Sequence, residues 1–157
     1  MKRLLPLLLL ATLVFPAFGQ GLSPDQPIHD AARAGSGDEV RRLLKTDPKR
    51  REARTEQGST PLHLAATNPD ITAMQALIAA GANVMARDND GATPLHMAAY
   101  SSHAQNVQIL LEAGADPFAK TDNGRDPGSM ARKVKADEAA GVLSLWVLKG
   151  CKPRQPC

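Results

Sequence analysis

The fold of this chain is decided by residues 88–99, which read Asp-Asn-Asp-Gly-Ala-Thr-Pro-Leu-His-Met-Ala-Ala. Much of this stretch recurs at a fixed spacing. Thr60-Pro61-Leu62-His63 lies 33 residues before Thr93-Pro94-Leu95-His96, and a shift of 34 places Pro27-Ile28-His29 on the same motif. Residues 124–127 repeat its glycine and proline at the interval of 33. A constant period of this length indicates an array of stacked structural repeats.

The residue types of the motif favour a turn followed by two helices. Proline suits the first position of a helix, which needs no backbone N–H, so Pro61 and Pro94 mark helix starts. Gly91 suits a turn residue with positive φ, while Gly81 and Gly114 suit the ends of the second helices. Helical spacing predicts that a set of apolar residues in the two second helices is buried, namely Ala73, Met74, Leu77, Ile78, Val107, Leu110 and Leu111.

The repeated Thr-Pro-Leu-His-x-Ala-Ala pattern, set between a turn and two helices, resembles the ankyrin repeat family over about residues 25–148. The resemblance implies an all-α fold, an ankyrin-repeat solenoid of about four stacked helix–turn–helix repeats with β-turn tips. We expect a repeat domain over residues 20–150. Its repeats are predicted at about 25–54, 55–87, 88–120 and 121–150. The second and third repeats keep the full motif, and the first and fourth are expected to cap the array.

Residues 1–19 are predicted to form a secretory signal peptide. Two basic residues precede an apolar run from Leu4 to Phe15, and small residues follow at Ala17 and Gly19. The run is shorter than the roughly 20 residues that span a bilayer. A buried N-terminal helix is the alternative, although two prolines would interrupt it. We expect an exported protein, periplasmic or secreted, cleaved near Gly19 and without a stable membrane anchor.

The charge balance argues against nucleic-acid binding. Removing Lys2 and Arg3 with the leader lowers the basic count from 19 to 17, against 16 acidic residues. The remaining domain is close to neutral, whereas nucleic-acid binding needs a concentrated positive surface.

The tail over residues 151–157 carries both cysteines, Cys151 and Cys157. Disulfides persist in exported proteins, and the five intervening residues can close a ring, so we predict a structural disulfide. A redox or metal role is the alternative. However, a catalytic dithiol prefers two intervening residues, and two thiols alone make a poor zinc site.

No motif for catalysis, phosphate binding or calcium binding is found, so we expect no enzymatic activity, cofactor or metal. His29, His63 and His96 occupy one repeat position a layer apart, too far to share a metal ion. The family resemblance implies that they support the turns by hydrogen bonding, and it places His103 between two helices. The basic residues between 49 and 54 are interpreted as a solvated face, with a contact to a polyanion or an anionic headgroup as the alternative.

The resemblance implies that the turn tips and first helices form a concave face that binds another protein. Tyr100 is the best candidate hot spot, since interface energy concentrates in Tyr, Trp and Arg; packing against Met97 is the alternative. Changing Tyr100 and Arg87 to alanine should weaken binding without altering thermal unfolding. Trp146 is expected to pack over the last layer, with an exposed anchor as the alternative. The predicted partner-binding residues are Gln57, Ser59, Thr67, Arg87, Asn89, Asp90, Tyr100, Ser101, Lys120, Asp122, Asn123 and Arg125.

The sequence therefore predicts a non-catalytic interaction scaffold, monomeric alone, that protects, supports or inhibits an exported enzyme or toxin. By resemblance, small exported ankyrin proteins of Gram-negative bacteria include some linked to oxidative-stress enzymes such as catalase and some that resemble immunity proteins. Two alternatives remain open. One is a minor redox or metal-binding role for the cysteines or histidines, and the other is a secreted effector that acts on host proteins.

Overall fold

The computed structural model describes residues 26–155. These residues form four helix pairs and one short 3₁₀ helix, Pro48–Glu52, with no β-strand among them. The pairs, here called the first to fourth repeats, are α1 (Pro27–Arg33) with α2 (Gly37–Thr46), α3 (Pro61–Ala65) with α4 (Thr72–Ala79), α5 (Pro94–Tyr100) with α6 (Ala104–Glu112), and α7 (Pro127–Lys133) with α8 (Asp137–Leu148). The predicted signal peptide over residues 1–19 and Cys157 lie outside the described residues.

Each first helix begins at a proline, which the sequence predicts for Pro61 and Pro94. Pro27, Pro61, Pro94 and Pro127 stand at the first helical position of α1, α3, α5 and α7. The first helices stack on one another in chain order, from α1 on α3 to α5 on α7, while α2 packs on α4 and α6 on α8. The all-helical solenoid expected from the repeat is therefore confirmed.

The core runs through the array as one continuous cluster of small and branched side chains. Leu62 and Leu95, at equivalent positions of the second and third repeats, are fully buried, and so are Leu77 and Leu110. Trp146 is only 8% exposed and joins this cluster. The prediction that Trp146 packs over the last layer is confirmed, and the exposed-anchor alternative is wrong.

Polar side chains also join the loops between paired helices. Asn106, which is almost fully buried, donates from Nδ2 to the carbonyls of Ala66 (3.0 Å) and Asn68 (2.7 Å). The Nε2 atom of His103 lies 3.0 Å from the carbonyl oxygen of Thr67. The second and third repeats are thus held together at this edge as well as through the core.

The tail after α8 folds back onto α6. The Cys151 N–H donates to the Trp146 carbonyl (3.1 Å), and the Arg154 N–H donates to the Glu112 carbonyl (3.0 Å). The pairing of Cys151 with Cys157 stays a prediction, because Cys157 is not among the described residues. Across residues 26–155, no helix combines the length and the apolar character needed to cross a membrane.

Candidate protein-binding face

Three turns of identical geometry project side by side from the starts of the repeats. In the second, third and fourth repeats, the N–H of Thr55, Asp88 and Thr121 donates to the carbonyl four residues later, at 3.0, 2.9 and 2.9 Å. The turns therefore cover residues 55–59, 88–92 and 121–125, and we call them the tips.

Backbone hydrogen bonds join each tip to the next. The Asn89 N–H donates to the Gln57 carbonyl and the Asp122 N–H donates to the Asp90 carbonyl, both at 3.0 Å. The Asn89 side chain adds a bond from Nδ2 to the Glu56 carbonyl at 2.9 Å. These hydrogen bonds hold each tip against the next one and so set the spacing of the tips.

Two arginine side chains, each directly before a tip, link successive repeats. Arg87 donates to the Lys120 carbonyl and to the Asp122 carboxylate, both at 2.8 Å. Arg54, one repeat earlier, donates to the carbonyls of Gly58 and Arg87. Each arginine thus binds the carbonyl of the residue that takes its own place in the following repeat.

The repeated histidines connect each first helix to the next tip. His63 accepts at Nδ1 from the Thr60 N–H (3.1 Å), and its Nε2 lies 3.0 Å from the Ala92 carbonyl oxygen. His96 makes the corresponding contacts to the Thr93 N–H and the Arg125 carbonyl, both at 3.0 Å. A backbone N–H can only donate, so Nδ1 is the acceptor and Nε2 carries the proton.

This arrangement requires neutral imidazoles. Burial is the main cause that lowers the pKa of His63 and of His96, outweighing the carbonyl hydrogen bonds, which act in the opposite direction. His29 is placed in the same way, with Nδ1 accepting from the Gln26 N–H (2.9 Å) and Nε2 lying 3.1 Å from the Ala53 carbonyl oxygen. The turn-supporting role that the resemblance implies for these histidines is what the geometry shows.

A shallow groove of about 440 Å³ lies between the tips and the first helices. Its apolar floor is formed by Met97 and Met130, both half-buried, and by Tyr100, which is 54% exposed. The carboxylate of Asp90 and the guanidinium of Arg125 line it without an ion pair or hydrogen bond to any residue of 26–155. We call this the recognition groove; it is also lined by Gln57, Ser59, Asp88, Ala92, Thr121 and Asn123.

Comparison with known proteins decides the family. The family model described as ankyrin repeats, in three copies, matches residues 25–121, which is more than half of the chain. The chain belongs to the ankyrin repeat family. No curated protein matches it significantly. Helices α7 and α8 lie beyond the matched segment, yet they pack on α5 and α6 as a further ankyrin layer.

The ankyrin array brings together half of the predicted partner-binding residues. Those that line the recognition groove are Gln57, Ser59, Asp90, Tyr100, Asn123 and Arg125. Thr67, Ser101 and Lys120 lie outside its lining. Arg87, Asn89 and Asp122 bind the neighbouring tips instead, so the expectation that removing the Arg87 side chain would leave unfolding unchanged does not fit this structure.

Sequence reasoning missed some residues of the ankyrin face. Met130 was not anticipated as part of the groove floor, although it stands 33 residues after Met97. Arg54 was grouped with a solvated basic face; it is exposed, but it bridges two tips. The signal that could have found its role was the interval of 33 between Arg54 and Arg87. Within residues 26–155, no three His, Cys, Asp or Glu side chains are grouped to hold a metal ion.

Proposed function

We propose that the protein is a non-catalytic scaffold that is exported to the periplasm and binds another exported protein through the recognition groove. Docking there would protect, support or inhibit that partner. Ankyrin repeats indicate protein–protein interaction, and members of the family are typically non-catalytic. The proposal of export rests on the charge and apolar pattern of residues 1–19.

One observation carries the choice of the groove. On the face formed by the tips, several polar side chains already bind other parts of the chain, as Arg87 and Asn89 do. In the recognition groove, the Asp90 carboxylate and the Arg125 guanidinium remain uncommitted beside the exposed ring of Tyr100. Such an aromatic residue, flanked by polar groups of both signs, is typical of an interface hot spot.

The floor of the groove indicates what the partner presents. Methionine side chains are flexible and polarizable, so Met97 and Met130 can adapt to an apolar side chain of varied shape. The Asp90 carboxylate and the Arg125 guanidinium bind no other group of residues 26–155, so both are open to a partner's polar groups. We therefore propose an apolar anchor from the partner over the methionines, with polar contacts around it.

Affinity capture followed by a quantitative binding assay tests this function. The protein without residues 1–19 is used to capture partners from periplasmic extract, and the dissociation constant of any captured protein is measured. Tyr100→Ala combined with Asp90→Asn should weaken binding by at least about tenfold, the equivalent of roughly 1.4 kcal/mol. Gln75→Ala with Gln105→Ala serves as the control, because both glutamines are exposed on second helices outside the groove.

The outcome separates two possibilities. Unchanged affinity in the Tyr100 and Asp90 variant, or an equal loss in the glutamine control, would mean that the partner docks elsewhere. Circular dichroism on each variant verifies that the helices are intact, so that a loss of binding is not a loss of fold.

A further inference from the structure

The tip of the fourth repeat, residues 121–125, carries an asparagine that directly precedes a glycine. The chain has five asparagines, and the residues that follow them are Pro69, Val84, Asp90, Val107 and Gly124. Asn123, which precedes Gly124, is exposed, and its side chain makes no hydrogen bond within residues 26–155. A glycine has no Cβ that shields its backbone nitrogen. The Asn123 side chain can therefore approach the following backbone nitrogen more easily than any other asparagine side chain of this chain can.

In the second and third repeats, the corresponding peptide is held by the tip that follows. The carbonyls of Gln57 and Asp90 each accept a hydrogen bond from that following tip at 3.0 Å. At the glycine after each of these residues, an added Cβ would lie against Asn89 in one case and against Arg87 and Asp122 in the other. These two tips are therefore fixed on the side that faces the next repeat.

The fourth tip lacks such a neighbour, since no further helix pair follows it within residues 26–155. No atom except those of its chain neighbours lies within 4 Å of a Cβ placed on Gly124. The Asn123 carbonyl accepts no hydrogen bond within residues 26–155. The Gly124 N–H donates to the Thr121 carbonyl at 2.9 Å, the bond that closes the tip. Local opening of this one bond frees the Gly124 nitrogen.

We propose that Asn123 is a site of spontaneous deamidation. When the tip opens, the Gly124 nitrogen loses its proton to hydroxide and attacks Cγ of Asn123. The Cγ–Nδ2 bond breaks, and ammonia leaves with a proton from water, which regenerates the hydroxide and leaves a five-membered succinimide. Water then hydrolyses either of the two succinimide C–N bonds, so that an aspartate or an isoaspartate replaces the asparagine. Water is the co-reactant, and nothing is oxidised or reduced.

The reaction changes the charge of the recognition groove. Asn123 lines this groove, and its neutral amide gives a carboxylate in both products. The groove is also lined by the carboxylates of Asp88 and Asp90 and by the guanidinium of Arg125. Deamidation thus adds a negative charge where carboxylates already outnumber guanidinium groups. An effect on partner binding rests on the proposed function, whereas the reaction itself does not.

Peptide mapping by mass spectrometry tests the proposal. The full chain is kept folded at mildly alkaline pH, and deamidation raises the mass of the affected peptide by about one dalton, the difference between an NH₂ and an OH group. Asn123 should react before every other asparagine and should give both aspartate and isoaspartate. In urea, Asn123 should react at most about tenfold faster, equivalent to the roughly 1.4 kcal/mol that one hydrogen bond contributes at most.

Asp90→Asn is the matched variant, because it places the same Asn-Gly pair in the third tip. The Asp90 side chain has no partner within residues 26–155, so the hydrogen bonds of the tip stay in place. The carbonyl at this position is held by the Asp122 N–H. In the folded variant, the new site should react at least about fivefold more slowly than Asn123, equivalent to about 1 kcal/mol for the additional hydrogen bond. In urea the two sites should react at similar rates.

Two results would overturn the proposal. In the first, Asn123 stays intact in the folded protein over a period in which it deamidates completely in urea, which would mean that the fourth tip protects it. In the second, both sites of the folded Asp90→Asn variant react at the same rate, which would mean that the following tip has no influence. Neither measurement needs a partner, so its failure is distinct from a failure of binding at the recognition groove.

Discussion

Acidification should destabilise this protein well above the pH at which carboxylates are protonated. The cause lies in His63 and His96, whose pKa values are lowered by burial from an ordinary value of 6.5. Their folded pKa values lie below those of the unfolded chain. The stability that these neutral imidazoles contribute is therefore fully present above pH 6.5 and is lost as the pH falls towards the folded values.

The magnitude follows from proton linkage. Below pH 6.5 the unfolded chain binds up to one more proton than the folded chain at each histidine. Each such proton gives a slope of about 1.4 kcal/mol per pH unit, so the two histidines together give at most about 2.7 kcal/mol per pH unit. A typical domain has a free energy of unfolding of about 5–15 kcal/mol. The decrease in this free energy between pH 7 and pH 5 should therefore be readily measured.

Urea denaturation at a series of pH values between 8 and 5 measures this slope. His96→Gln removes one titrating group and should lower the slope by up to about half, whatever its effect on stability at pH 8. Val107→Ala is the control, since it removes fully buried side-chain volume from the same repeat without removing a titrating group. It should lower stability by an amount that does not depend on pH.

Imidazole nitrogen NMR checks the protonation state directly. In the folded protein, His63 and His96 should show a proton on Nε2 and none on Nδ1, as their contacts require. A flat stability profile between pH 7 and pH 5, or charged imidazoles in the folded protein at pH 6, would refute the reasoning.

Three further predictions concern the tips, the core and the tail. In urea denaturation, Arg87→Ala should lower the free energy of unfolding by about 1 kcal/mol, because it removes two hydrogen bonds to the following repeat. The control Arg41→Ala, at an exposed position, should change this free energy by less than about 0.5 kcal/mol. An equal effect of both would mean that the arginine bridge contributes nothing. By the same measurement, Trp146→Ala should lower the free energy of unfolding by about 3–5 kcal/mol. Leu145→Ala, on the same helix, should lower it by less than about 0.5 kcal/mol. A small decrease for Trp146→Ala would contradict the position of Trp146 in the core. Thiol titration of the denatured, unreduced protein should find no free thiol, as the predicted disulfide requires, and two reactive thiols would leave the redox alternative open.

Much of the fold could be predicted from the sequence because its determinants are local and periodic. Pro61 and Pro94 begin their helices as expected, since proline's fixed φ and missing N–H act within one turn of helix. Leu77 and Leu110 are buried as helical spacing predicts. A period of 33 also multiplies each weak local signal, because the same pattern appears in several layers.

The candidate site was predicted less completely because its character depends on contacts between layers. Arg87 and Asn89 have the same polar character as Asp90 and Arg125, and nothing in their residue types separates the two groups. Only the relative position of successive tips brings Arg87 to Asp122 and Asn89 to the Glu56 carbonyl. The same position leaves the side chains of Asp90 and Arg125 without a partner among residues 26–155.

The sequence by itself determined the repeat, the helix starts, the buried leucines and the position of the histidines, since each follows from residue type and spacing along the chain. Only the tertiary structure decided which polar side chains hold the tips together and which remain in the recognition groove. It alone showed that Phe118 and Leu148 are exposed at the C-terminal end of the array. The physical reason is that these properties arise where one layer ends and the next begins, or where no further layer follows.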